Sequence, residues 1–162
     1  MCSGTNRDDV RRAPPRVAPL AGAELWQVAV IRSDLATLGE APRQGAEGAP
    51  DAWIEIEPWA EDAARGIAVG DAILLVTWLH QARRDVLQVH PRFDPDNPLT
   101  GVFATRSPHR PNPLGLHPVL VRAIEWHAPD DPHSAPTRAR RLRVGPLEAI
   151  DGTPVVDIKP AL

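Results

Sequence analysis

The sequence predicts a mainly β fold, a single antiparallel sheet closed most simply as a barrel, with few short helices. Three observations lead there. Eight or so short apolar runs are separated by segments rich in Gly, Pro, Asp and Asn. Only one stretch carries the marks of a helical turn. Neither Gly-x-Gly-x-x-Gly after a strand nor Gly-x-x-x-x-Gly-Lys-Ser/Thr occurs, so the fold is not Rossmann and holds no P-loop. A chain of 162 residues is long enough for one full core and too short for two comfortable ones. The expected organisation is a flexible N-terminal arm over residues 1–22 and a barrel domain over 23–162.

The arm mixes Arg, Ala and Pro without periodicity, the pattern of a solvated tail. It has no apolar central segment, so it is not read as a secretory signal, and a cytoplasmic location is expected. Residues 25–31 form the first expected strand, with Trp26, Val28 and Val30 on one side. Residues 37–52 have no period of either kind, and a loop that long inside a compact domain tends to be functional. A short strand follows at 53–56. Residues 60–65 have Glu61 and Asp62 near their start, Arg65 near their end and Gly66 placed to stop them, which makes a short helical connector.

The apolar run at 71–79 reads as a central strand delivering His80 and Gln81 to its end, and 86–90 as its hairpin partner. Residues 116–126 are the longest apolar strand, interrupted by Arg122, and 127–137 are a loop. In 141–144 basic and apolar residues alternate, which puts Arg141 and Arg143 on an outer, solvated face. Asp151-Gly152 between two apolar runs signals a hairpin.

Composition narrows the chemistry. No apolar run approaches the roughly 18 residues that a membrane span needs, so no membrane partner is expected. Cys2 is the only cysteine, which excludes an intrachain disulfide and a cysteine-based zinc cluster. The six histidines show no metal-ligand spacing, and no metal is expected. A net charge of −3 gives no global nucleic-acid footprint, so an RNA surface would be a local patch.

Chemistry is concentrated between Gly101 and Pro118. Pro108, Pro111 and Pro113 each fix their own φ and hold Ser107, Arg110 and Asn112 in extended geometry. The resulting stiff loop carries Arg106, His109, Arg110 and Asn112, a set with several donors and few acceptors. Such a set suits an anionic or carbonyl-rich partner.

The run Gly-Val-Phe-Ala-Thr-Arg-Ser-Pro-His-Arg-Pro-Asn-Pro-Leu-Gly at 101–115 resembles the signature of the TsaA-like (YaeB, TrmO) family. Three flanking pieces match in order: Pro42-Arg43-Gln44, Leu79-His80-Gln81, and Asp151-Gly152-Thr153-Pro154-Val155 running into Asp157-Ile158-Lys159-Pro160. The resemblance covers about residues 25 to 160. It implies a β-barrel S-adenosylmethionine-dependent tRNA methyltransferase acting on N6 of threonylcarbamoyladenosine beside the anticodon, commonly a homodimer.

Carried over onto this sequence, the cofactor contacts are Pro42, Arg43, Gln44, His80, Gln81, Arg106, Leu116, Asp151, Gly152, Thr153 and Pro154. Arg110 and Asn112 face the substrate, and His109 is the titratable candidate for a base. Some family members carry a further C-terminal domain thought to help hold tRNA. Here the arm and the Arg-bearing loops are expected to take that part. Two other readings stand beside this one: a methyltransferase of a smaller acceptor, and a non-catalytic module that binds the same cofactor.

Overall fold

The computed structural model describes residues 9–12, 24–127 and 139–161. Its strands are β1 (Asp9–Arg12), β2 (Ala29–Arg32), β3 (Ala52–Ile56), β4 (Ala72–Trp78), β5 (Val86–Val89), β6 (Thr100–Gly101), β7 (Leu114–His127), β8 (Ala139–Gly145) and β9 (Pro154–Pro160). Six of them close the expected barrel in the order β2-β3-β8-β7-β4-β9, and β9 returns to pair with β2. The remaining three form a small sheet in the order β1-β5-β6. The chain divides into two compact units: Leu25–Trp78 with Gly115–Leu162, and Leu79–Leu114 with Met1–Glu24.

Period-two alternation builds the barrel core. Along β3 the buried residues are Ala52, Ile54 and Ile56, and along β4 they are Ile73, Leu75 and Thr77. Ala29 and Ile31 of β2, Leu142 and Val144 of β8, Val119 and Val121 of β7, and Val155 of β9 join it. Each fully buried aliphatic side chain stabilises the fold by roughly 1.5–3 kcal/mol over an exposed one. Arg122 falls at a register shift of β7 between Val121 and Ala123. This bulge lets a charged residue interrupt an apolar strand without entering the core. Arg122 and Arg143 share the carboxylate of Asp51. Arg141 pairs with Glu125 and lies 4.3 Å over the Trp53 ring, so both outer-face arginines of β8 are held by neighbouring carboxylates.

Several local expectations are corrected. The first strand begins at Ala29 and buries Ala29 and Ile31, whereas Trp26 is 65% exposed and stacks edge-on with Trp59 at 5.4 Å. Strands β4 and β5 are not a hairpin: β4 pairs with β9, and β5 with β1 and β6. The Asp151-Gly152 turn, with Gly152 at φ +74, feeds β9 to β2 and β4 and does not join it to the strand before it. In each case long-range pairing overrides a local turn signal. The connector forms as a 3₁₀ segment, Pro58–Ala64, with Gly66 just beyond it at φ +92.

In the second unit, Val86, Val89 and Val102 make a small separate core. Most of the expected arm lies outside the described residues, and its residues 9–12 pair antiparallel with β5. The expected 127–137 loop also lies outside them, apart from His127 at the end of β7.

Candidate functional site

In the Leu79–Leu114 unit the proline-locked loop is held by its own arginine. The Arg110 Nε donates to the Ser107 carbonyl at 2.8 Å, and its terminal nitrogen to the carbonyls of Thr105 at 2.7 Å and Val102 at 3.0 Å. A planar guanidinium can serve several acceptors at once from one rigid fork. The extended Ser107 before Pro108 leaves a carbonyl outside any ladder, and the Val102 carbonyl accepts from the Thr105 N–H and hydroxyl as well as from Arg110. Arg110, read from sequence as facing a substrate, thus commits its Nε and one terminal nitrogen to the loop itself, and the role this geometry supports is holding that loop in shape.

A second segment docks on the same loop. The Leu79 N–H donates to the Pro113 carbonyl, and a turn closes from Ala82 back to Leu79 with His80 and Gln81 exposed at its corner. Arg84 donates to the Pro111 carbonyl and to Asn112 Oδ1. The structure thus brings together His80, Gln81 and residues 109–113, which are about thirty positions apart in the sequence. Arg106 is exposed.

Two ambiguous groups on the loop become donors. The backbone N–H of Arg83 donates to His109 Nδ1 at 3.0 Å. A backbone N–H can only donate, so the neutral ring carries its proton on Nε2. Burial, and then the nearby Arg83 charge, push the His109 pKa below its ordinary value, with Asp85 partly opposing. In the same way Arg84 occupies Asn112 Oδ1 and leaves the amide N–H₂ of that exposed side chain as the donating end. His109 was the expected base, but its one neutral acceptor nitrogen is already engaged.

The barrel unit holds the other expected contacts. Pro42, Arg43 and Gln44 precede a 3₁₀ turn at Gly45–Glu47, with Arg43 and Gln44 exposed. A Cβ at Gly45 would lie 2.8 Å from the Pro146 carbonyl oxygen and 3.3 Å from Glu148 Oε2. Only glycine allows this loop to approach the 146–148 segment so closely. Asp151 is exposed, and its Oδ1 accepts from the Ser33 N–H at 3.1 Å. Gly152 and Thr153 exchange backbone bonds with Ile31. Thr153 is 2% exposed and donates its hydroxyl to the Ile150 carbonyl, so its side chain shapes the turn. Pro154 opens β9, and Leu116 points outward from β7 with 46% exposure.

Sequence reasoning passed over the residue beside Leu116. His117 points inward and is 6% exposed. Its Nε2 meets Thr77 Oγ1 at 2.9 Å and its Nδ1 meets Glu148 Oε1 at 2.7 Å. No hydropathy pattern marked it: exposed and buried residues alternate through 114–121 in the structure, but the exposed ones include Leu114, Leu116 and Leu120. Hydroxyl, imidazole and carboxylate in series match a nucleophile–base–orienter array, but Thr77 has no exposed surface and no substrate reaches its oxygen. Among the described residues, no three His, Cys, Asp or Glu side chains gather as metal ligands, and no helix is long and apolar enough to cross a membrane.

The chain as a whole is similar to known proteins. The family described as the tRNA-methyltransferase O N-terminal domain matches residues 30–162. A probable S-adenosyl-L-methionine-binding protein of Archaeoglobus fulgidus is 42% identical over 137 residues, covering 85% of this chain and 33% of its own. One from Methanothermobacter thermautotrophicus is 41% identical, covering 82% and 85%. The tRNA (adenine(37)-N6)-methyltransferase of Escherichia coli is 34% identical, covering 88% of this chain and 59% of its own. The crystal structure of TrmO from Pseudomonas aeruginosa superposes with a TM-score of 0.60 at 28% identity, covering 86% of this chain and 56% of that one. The chain therefore spans a third of the Archaeoglobus relative and little more than half of the solved TrmO.

Proposed function

The chain belongs to the tRNA-methyltransferase O N-terminal domain family, and from that premise we propose that it is an S-adenosylmethionine-dependent methyltransferase of tRNA. Its proposed target is N6 of threonylcarbamoyladenosine beside the anticodon. The observation that carries this reading is the donor-rich character of the proline-locked loop. Arg106, the Nε2–H of His109 and the amide N–H₂ of Asn112 all donate. A base bearing a carbamoyl carbonyl and a carboxylate is rich in acceptors and complements them.

The donor set also fits the cofactor. On the barrel unit, Arg43, Gln44 and the second carboxylate oxygen of Asp151 suit its charged and hydroxyl groups, the backbone of Pro42, Gly152 and Pro154 offers carbonyls beside the turn that Thr153 shapes, and Leu116 offers an apolar face. On the other unit, His80, Gln81 and Arg106 are exposed, and Arg106 suits a carboxylate. When bound, this cofactor supplies a methyl group activated on a sulfonium. Transfer needs in-line approach of N6, so most of what these residues contribute is positioning. The carbamoyl group makes the N6 proton more acidic, and donors from Asn112 and His109 to that carbonyl would increase the effect. Accepting the proton falls to a group other than His109.

The archaeal relatives are named only as cofactor-binding proteins. Those names favour, as the second reading, a chain that binds the cofactor and serves a different acceptor or none. Incubation with labelled S-adenosylmethionine and total tRNA from a strain lacking this gene, followed by nucleoside mass analysis, separates the two. A methyl group gained on threonylcarbamoyladenosine supports the proposal. Cofactor binding without transfer to any tRNA overturns it in favour of the second reading.

A further inference from the structure

We infer that the buried Thr77–His117–Glu148 relay is the positioning device of the barrel's cofactor loop, acting through Glu148 on the Gly45 turn and so on Pro42, Arg43 and Gln44. The inference rests on the cofactor reading above and names residues that reading does not use.

An imidazole inside an apolar barrel is costly unless both ring nitrogens are satisfied. Here both are, by Thr77 at 2.9 Å and Glu148 at 2.7 Å. An apolar residue at this inward position of β7 would need no polar partners, so the relay does something packing does not. It fixes one carboxylate oxygen of Glu148 from within. The other oxygen lies where the Gly45 turn passes, 3.3 Å from the position of a Cβ there. The same turn is pressed to 2.8 Å of the Pro146 carbonyl, and the Leu147 N–H is bonded to the Pro50 carbonyl beyond it. Thr77 is the penultimate residue of β4, His117 lies one position after Leu116, and Gln44 directly precedes the turn. One chain of two hydrogen bonds thus spans the barrel from β4 through β7 to the segment against which the 42–48 loop rests.

A carboxylate so held cannot swing away, and the loop keeps one arrangement before any cofactor arrives. Preorganisation of this kind raises affinity by lowering the ordering cost of binding. His117, Thr77 and Glu148 are positioning residues: Thr77 at 0% and His117 at 6% are too buried to touch the cofactor, and the partly buried Glu148 is turned to His117 and the Gly45 turn.

The test uses the whole chain. Thr77→Val keeps side-chain volume, removes one partner of His117 and is the variant most certain to fold; His117→Leu removes the relay altogether. Two quantities are read: amide hydrogen exchange of the cofactor-free protein over residues 42–50, and the Kd for S-adenosylmethionine by calorimetry well below Tm. Leaving a buried ring nitrogen unpaired is expected to speed exchange in that segment by about fivefold or more and to raise Kd by a similar factor in Thr77→Val. A larger change is expected in His117→Leu. A purely structural role would lower Tm and leave both quantities of the folded protein unchanged, which would overturn the inference. A wild-type chain that binds no S-adenosylmethionine overturns the cofactor reading, and this inference with it. Binding by wild type with unaltered loop exchange in the variants overturns the relay alone.

Discussion

Replacing Arg110 separates a loop clamp from a substrate-facing group. Its guanidinium makes three charge-assisted bonds to backbone carbonyls, at 2.7, 2.8 and 3.0 Å. Bonds to a charged group contribute about 1.5–3 kcal/mol each when buried. Arg110 is only partly buried and water can reach some of the released carbonyls, so the three together are expected to stabilise the loop by about 2–4 kcal/mol. Arg110→Ala should therefore lose most of the amide protection over residues 102–110 and lower the urea midpoint. Arg110→Lys should recover only part, because an ammonium is a single point charge that cannot serve three divergent carbonyls as a planar fork does. Methyl transfer should fall in proportion to the loss of loop protection across the two variants. The result that refutes this reasoning is a lysine variant with wild-type exchange and stability but abolished transfer. That outcome would mean the guanidinium acts on the substrate and the loop holds itself.

Other expectations follow from the same geometry. His109 has a pKa below 6.5 in the folded chain because burial and Arg83 disfavour its charged form. Its contribution to stability is thus present above pH 6.5 and is lost as pH falls from there through the lower folded value. Thermal unfolding across that window should show a slope that diminishes in His109→Asn, whose amide oxygen can still accept from Arg83. Leu142, fully buried in the barrel, should cost about 2–5 kcal/mol when cut to Ala, measured by urea denaturation, with cofactor affinity of the folded fraction preserved. Arg106→Ala should weaken cofactor binding by calorimetry, whereas Asn112→Ala should chiefly slow transfer at saturating cofactor; the opposite split would reverse the two assignments.

Much of the fold was legible in the residues because period-two burial is a local pattern. The runs at 53–56, 71–79, 116–126 and 141–144 became β3, β4, β7 and β8, and the Arg122 interruption became a bulge. Pairing was not legible. An Asp-Gly turn and a polar connection each look like a hairpin over a dozen residues, yet β9 and β5 take partners far away in sequence. The first strand also misled. Its large apolar residues, Trp26 among them, lie outside or half-exposed, while smaller Ala29 shares the inward face with Ile31, because pairing with β3 and β9 sets which alternate residues face the core.

The candidate site divides along the same line. From residue types and spacing alone the chain determined a stiff, donor-rich loop at 101–118, since proline geometry and the hydrogen-bonding capacity of side chains are intrinsic to each residue; the flanking pieces at 42–44, 79–81 and 151–160 were tied to it only by the family resemblance. Which end of each group is presented was decided only by tertiary contacts. A backbone N–H from Arg83 chose the His109 tautomer, Arg84 oriented the Asn112 amide, and three loop carbonyls took up Arg110. His117 is the clearest instance. In the sequence it is one histidine among six, and it becomes the centre of a relay only because barrel closure brings Thr77 and Glu148, 40 and 31 residues away, to its two nitrogens.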